Sequence, residues 1–184
     1  MKYINNHLPI STPRLQLELV SMKYVEEIFK EFTDEVTKTL RASTPKKIEE
    51  EAERVIRSQE KYKQWTDMNL VVTDTQGNFI WWCGIMHVNT PTPEIWLRIK
   101  QSERRKWYGK EMVWALIKRL ETYKDFEYIV YRAQKGNMGT RKIVESFGWI
   151  LQLNAEGKEN IFMEPKFDNS SSFECVEYRI YKDD

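Results

Sequence analysis

The chain has 184 residues, enough for one domain whose core needs neither disulfide nor metal support. Lysine plus arginine number 29 against 28 aspartate plus glutamate, which excludes the global basic field that draws proteins to nucleic acid or anionic membranes, so any anion site must be local. Two cysteines without a CxxC and two histidines support neither a disulfide framework nor a zinc site; with no apolar leader in "MKYINNHLPI" and no run long enough to span a bilayer, a cytoplasmic protein is expected.

"RLQLELV" (Arg14 to Val20) alternates Leu15, Leu17 and Leu19 with polar residues, the period of a half-buried strand. "SMKYVEEIFKEF" follows, with Ser21 as a candidate cap and helical spacing of Tyr24, Val25, Ile28, Phe29 and Phe32. After "ASTP", Lys46 to Trp65 reads as a long, largely solvated charged helix with Ala52, Val55 and Ile56 on its apolar side. From Met68 the period changes. "NLVVT", the turn "DTQGN" and "FIWWCGIMHV" describe a hairpin in which Gly77 supplies the positive φ, and its apolar second arm belongs in the sheet centre. "EIWLRIK" (Glu94 to Lys100) adds a third antiparallel strand after the turn "TPTP". Beyond the loop "RRKWYGK", Met112, Val113, Leu116, Ile117 and Leu120 form one apolar helical stripe. "YIVYRA" (Tyr128 to Ala133) is a further strand, and "NMGTRKIVESFGW" a helix that buries Ile143, Val144 and Phe147 and stops at Gly148 in the left-handed conformation. "EPKFDNSSS" reads as an exposed, mobile loop and "ECVEYRIY" (Glu174 to Tyr181) as the closing strand. No repeat or domain boundary interrupts the chain.

The loop before the second long helix is the first functional candidate. A helix start presents unpaired N–H groups and the positive end of the macrodipole, so a phosphate is favoured there before any side chain is counted. Arg104, Arg105, Lys106 and Lys110 add cationic charge. This strand, basic loop and helix resemble motif A of the Gcn5-related N-acetyltransferases, whose pattern is Gln or Arg, two residues, Gly, one residue, Gly or Ala. Here it reads Arg104, Arg105, Lys106, Trp107, Tyr108, Gly109. Motif B, roughly "NxxSxxxxExxGF" in the ribosomal-protein-alanine N-acetyltransferase-like branch, is matched by Asn137, Thr140, Glu145, Gly148 and Trp149. "TPRLQLELV" is similar to that branch's first strand, and "EIWLRIK" stands at the same distance before the loop as the branch's "EIGYWI".

The resemblance covers nearly the whole chain and implies a single domain over residues 1–184. Its fold would be mixed α/β: a mostly antiparallel central sheet flanked by helices, in which the fourth and fifth predicted strands, at Glu94 and Tyr128, run parallel and splay. It implies acetyl-CoA as co-substrate, with the pyrophosphate on backbone amides from Arg105 to Lys110. The pantetheine arm would lie between the strand ending at Ile99 and the strand from Tyr128. Transfer would run directly to a primary amine, on a protein N-terminus or a small molecule, without metal, nucleic acid or membrane; the resemblance leaves room for a homodimer. It also places Arg41 to Pro45 near the acceptor.

Trp107 departs from the pattern by standing where the first Gly belongs. A Trp is expected to keep the loop only with a negative φ and an indole turned away from the phosphates. This favours a rival reading, a protein that keeps the fold and binds acyl-CoA or a peptide without turnover. A second rival, nucleic-acid binding through "RRK" and its aromatics, is opposed by the near-neutral charge.

The remaining candidates each carry two readings. Glu94 is a general base by resemblance, or an exposed turn exit. Thr140 is a hydrogen-bond donor to the CoA sulfur, or a helix cap. Asn137 contacts the pantetheine arm, or makes turn chemistry before the helix. Trp107 and Tyr108 shield the co-substrate, or cover a helix start. His87 is a second possible base or a structural strand residue, and Cys83 lacks any neighbouring base that would make it a thiolate.

Overall fold

The computed structural model describes residues 8–38, 40–123 and 125–181. Met1 to His7, which belong both to the domain expected over 1–184 and to the stretch read as lacking a leader, lie outside them.

Strands β1 (Ile10–Ser11) and β2 (Leu15–Leu19) lead to the short helices α1 (Val25–Glu31) and α2 (Asp34–Thr37) and the long α3 (Ile48–Lys63). The meander β3 (Met68–Asp74), β4 (Phe79–Met86) and β5 (Glu94–Leu97) precedes α4 (Tyr108–Tyr123), β6 (Tyr128–Gln134) and α5 (Met138–Glu145), and the chain ends in β7 (Ile150–Leu151), β8 (Ile161–Pro165) and β9 (Ser172–Tyr181). One sheet orders them β1-β2-β3-β4-β5-β6-β9-β7, with β8 also paired to β9. Every pairing is antiparallel except β5 with β6.

That parallel pairing has a single register pair, Glu94 with Val130. Beyond it the strands part. The amides of Arg98 and Lys100 keep bonding to β4, at the Trp82 and Ile80 carbonyls; alternation along an extended chain therefore turns the Ile99 amide toward the gap. The sheet thus opens in its middle, as the resemblance implied.

Two cores flank the sheet. On one face α4 buries Met112, Val113, Leu116, Ile117 and Leu120 against Leu15, Leu17, Leu70 and Ile95, each such side chain contributing roughly 1.5–3 kcal/mol. On the other, α1 and α3 cover Val71, Trp81 and Trp82 with Val25, Ile28, Phe32 and Val55. Gly77 takes φ +85° in the hairpin and Gly148 φ +78° past α5. Val144 is fully buried, while Ile143 and Phe147 pack partly exposed on the same core.

Several expectations are corrected. Ser21 precedes a 3-10 turn and its side chain makes no cap bond. Ile56 is 46% exposed; the inward face of α3 runs through Glu51, Val55 and Ser58, so two polar residues hold core-facing positions. The segment read as a free loop contributes Glu164 and Pro165 to β8, and Phe167 N–H bonds the Arg41 carbonyl at 2.7 Å. β8 escaped the sequence reading because its pattern is inverted: Ile161, Met163 and Pro165 face outward while Glu164 is the buried residue.

Candidate active site

A cleft of about 1800 Å³ crosses the molecule where β5 and β6 part. Its two ends are built differently.

At one end lies the loop from Arg104 to Gly109. Arg105 and Trp107 both adopt left-handed backbone, φ +65° and +68°. The condition set for Trp107 from sequence, a negative φ, is therefore wrong: the Trp adopts the conformation a Gly would have taken, at a cost of roughly 1–2 kcal/mol. Its indole is 68% exposed with the Lys110 ammonium 5.2 Å from the ring centroid, so it leaves the gap open. Tight packing forms the floor, since a Cβ on Gly109 would stand 2.8 Å from Ile143 Cδ1 and 3.2 Å from Ile99 Cδ1. A larger residue here would require the Ile143 and Ile99 side-chain ends to move aside.

The amides of Lys110 and Glu111 turn inward to the Trp107 carbonyl. Those of Arg105, Lys106, Trp107, Tyr108 and Gly109 have no hydrogen-bond partner among the described residues. The loop is held from behind by residues the motif did not include. Glu111 accepts from Thr12 Oγ1 and the Arg14 amide, and pairs with the Arg14 guanidinium at 2.6 Å. Arg14 Nη1 donates to the Lys106 carbonyl at 2.8 Å, and its guanidinium lies over the Tyr108 ring. With its carbonyl tied down, this turn presents its N–H groups outward, the arrangement that binds anions.

Ile99, Arg104, Arg105, Trp107, Tyr108, Gly109, Lys110, Asn137 and Thr140 all line the cleft. Lys106 does not: its ammonium pairs with Glu103 at 2.8 Å, so its part in cofactor binding is limited to the main chain. Asn137 proves to be the cap of α5, its Oδ1 accepting from the Thr140 amide at 3.2 Å. Thr140 is therefore not the cap, and its hydroxyl meets the buried Tyr131 hydroxyl, which also reaches the Leu97 main chain. Burial holds the Tyr131 phenol well above its ordinary pKa, so it stays neutral. Trp149 packs edge-on against Tyr131 at 5.9 Å, and Glu145 accepts from Tyr178 Oη at 2.6 Å. The Trp of motif B thus packs behind this wall, and its Glu ties α5 to β9.

The other end is electrostatic. Glu94 is 5% exposed, which rejects the exposed turn exit. Burial pushes its carboxyl up to about 7, against the opposing pull of Arg132, whose Nη1 is 3.3 Å from Glu94 Oε2. Arg132 also pairs with Glu177 at 3.3 Å, and Arg41 pairs with Glu164 at 2.9 Å beside them. A carboxyl poised near neutrality in a cleft is suited to accept a proton from an amine. Of the segment Arg41 to Pro45 expected near the acceptor, Arg41, Ala42, Ser43 and Thr44 line the cleft and Pro45 does not. His87 is exposed and outside the cleft lining, its amide bonded to Asp67 Oδ1 at 3.1 Å. Cys83 is fully buried, with burial raising its thiol pKa strongly. Among the described residues no group of His, Cys, Asp and Glu could hold a metal ion, and no helix is long and apolar enough to cross a membrane.

The sequence model of a family described as "Acetyltransferase (GNAT) domain" matches residues 14–150. No curated protein matches the chain. Among solved structures the fold is similar to the microcin C7 self-immunity acetyltransferase MccE in complex with acetyl-CoA and AMP (12% identity, 95% of this chain and 99% of that one, TM-score 0.78). It is also similar to spermidine N-acetyltransferase from Vibrio cholerae in complex with CoA and spermine (15%, 92% and 96%, TM-score 0.73). A third is RimL, a ribosomal L7/L12 alpha-N-protein acetyltransferase in complex with coenzyme A (12%, 95% and 97%, TM-score 0.75). At such identities these structures establish the fold alone.

Proposed function

We propose that this chain, which belongs to the GNAT acetyltransferase family, transfers the acetyl group of acetyl-CoA to a primary amine at the cleft between β5 and β6. The observation that carries the reading is a single channel joining a set of outward-facing loop amides to a buried carboxyl held near neutrality. Loop amides from Arg105 to Gly109 bind the pyrophosphate, supported by Arg104, Arg105 and Lys110, and Ile99 and Asn137 border the pantetheine arm. The fit rests on Gly109, whose missing Cβ lets the helix start close on β5.

Glu94 accepts the proton that the amine sheds as its nitrogen bonds the acetyl carbon and the carbon–sulfur bond breaks. Thr140, steadied by Tyr131, donates a hydrogen bond to the departing thiolate, which is then protonated from solvent. The enzyme contributes orientation, which is worth several kcal/mol in a bound pair, and a proton acceptor matched to neutral pH.

Calorimetry with acetyl-CoA, followed by free-thiol release over a panel of primary amines and peptide N-termini, tests this. Micromolar binding with amine-dependent thiol release is the expected result. Failure to bind acetyl-CoA overturns the proposal, and binding without thiol release replaces it with the non-catalytic reading.

A further inference from the structure

Glu94, Trp96 and Arg98 alternate onto the face of β5 that meets the α1–α3 layer, with Ile95, Leu97 and Ile99 on the other. Arg98 points into the cleft. Its guanidinium lies 5.1 Å from the Phe32 ring centroid and 5.5 Å from that of Trp96, and it forms no ion pair among the described residues. Arg54 lies over the same Phe32 ring at 4.8 Å and also lines the cleft. One carboxylate serves both: Glu51 pairs with Arg54 at 2.7 Å and reaches Arg98 only at longer range. Arg57, also nearby, has its own partner in Glu53.

The charge of the cleft is consequently uneven. Around Glu94 three carboxyls (Glu94, Glu164, Glu177) face three guanidiniums (Arg41, Arg132, Arg179), so that end is balanced. Around Arg98 two guanidiniums face one carboxylate. Four residues of strand separate the centres, about 13 Å between their Cα atoms. Holding a half-buried guanidinium beside a second one is costly, and burial followed by Arg54 brings the Arg98 pKa down to about 9. An anion arriving between the two guanidiniums would offset that cost through charge-assisted, bidentate hydrogen bonds.

We propose that Arg98, seconded by Arg54, binds an anionic group of the acceptor, so that the substrate is a primary amine carrying a carboxylate or a phosphate in the same molecule. The amine lies at the charge-balanced end beside Glu94, the anion at the positive end, and the rings of Phe32 and Trp96 flank the guanidinium that holds it. The inference rests on the acetyl-transfer reading and names its substrate class. It opposes polyamines, whose distal ammonium would meet two guanidiniums.

Matched acceptors test it: ω-amino acids of graded length against alkylamines of the same length, aminoethyl phosphate against ethanolamine, and C-terminally amidated Ala-Glu-Ala against C-terminally amidated Ala-Gln-Ala. In the whole protein with acetyl-CoA, at least one anionic member is expected to exceed its neutral partner about tenfold or more in kcat/KM, as a charge-assisted contact allows. Which pair shows it separates carboxylate from phosphate and small molecule from peptide. Arg98→Gln should bring the ratio near one, and Arg98→Lys should retain part of it, which also shows that the site still folds. Calorimetric titration of the same ligands into the CoA-loaded protein reads the subsite without turnover. A tenfold preference there that Arg98→Gln abolishes, with no thiol release from any amine, upholds the subsite while sinking acetyl transfer. Equal binding and turnover of both members of every pair, or a preference unchanged in Arg98→Gln, overturns the inference.

Discussion

The two ends of the cleft are built in opposite ways. The loop end presents main-chain amides on one contiguous stretch, Arg105 to Gly109, backed by Arg14 and Glu111. The Glu94 end presents side chains drawn from the α2–α3 connection, β5, β6, β8 and β9. A turn built on its main chain keeps its shape under a changed side chain provided φ is kept, as Trp107 shows. A side-chain site tolerates little, because each charge there is balanced against its neighbours.

The contrast is broken most severely at Glu94. Glu94→Gln is expected to lower kcat about 100-fold or more, the scale of a lost general base. In the parent, kcat/KM should rise with pH through about 7 as the carboxyl ionises, and this limb should vanish in the variant. Stability should move the other way. A carboxyl whose folded pKa is raised from 4.5 to about 7 supplies stability that is fully present below 4.5 and lost as pH rises through 7. Thermal unfolding at pH 8 should therefore find Glu94→Gln no less stable than the parent; a large loss would mark Glu94 as structural.

At the loop end the expected effects are on affinity. Arg14→Gln frees the Lys106 carbonyl and should weaken acetyl-CoA binding about tenfold by calorimetry, with the amine KM little changed; a hydrogen bond to a charged group is worth about 1.5–3 kcal/mol. Between the ends, Thr140→Val should cost about tenfold in kcat with an unchanged acetyl-CoA Kd, since a hydrogen bond formed mainly to the leaving sulfur acts on the rate alone. The smallest effect sharpens the comparison. Trp107→Gly keeps the left-handed φ and should leave acetyl-CoA affinity within about threefold; a much larger loss would mean that the exposed indole itself holds the ligand.

Legibility followed the same division. The motif around Gly109 was readable because strand, loop and helix are consecutive, and alternation and the α4 stripe placed both cores. The direction of the Lys106 side chain was not legible, because sequence gives a cation but not its orientation, and Glu103 turns it aside. The cap reading fell on Thr140 for a similar reason: either residue can cap a helix, and only the backbone between them shows that Asn137 does. One signal was missed. Glu51 and Ser58 hold core-facing positions of a charged helix, and polar residues on a buried face mark a cleft.

By itself the sequence determined the order of the main strands and helices, the sheet's central hairpin and the turn that starts α4, because periodicity, helix starts and turn glycines are local properties. The tertiary structure alone decided the left-handed backbone at Trp107, the elevated pKa of Glu94 and the excess positive charge at Arg98. Each of these depends on burial and on partners far away in sequence, and a charge acquires its energy from the dielectric and the neighbours that folding supplies.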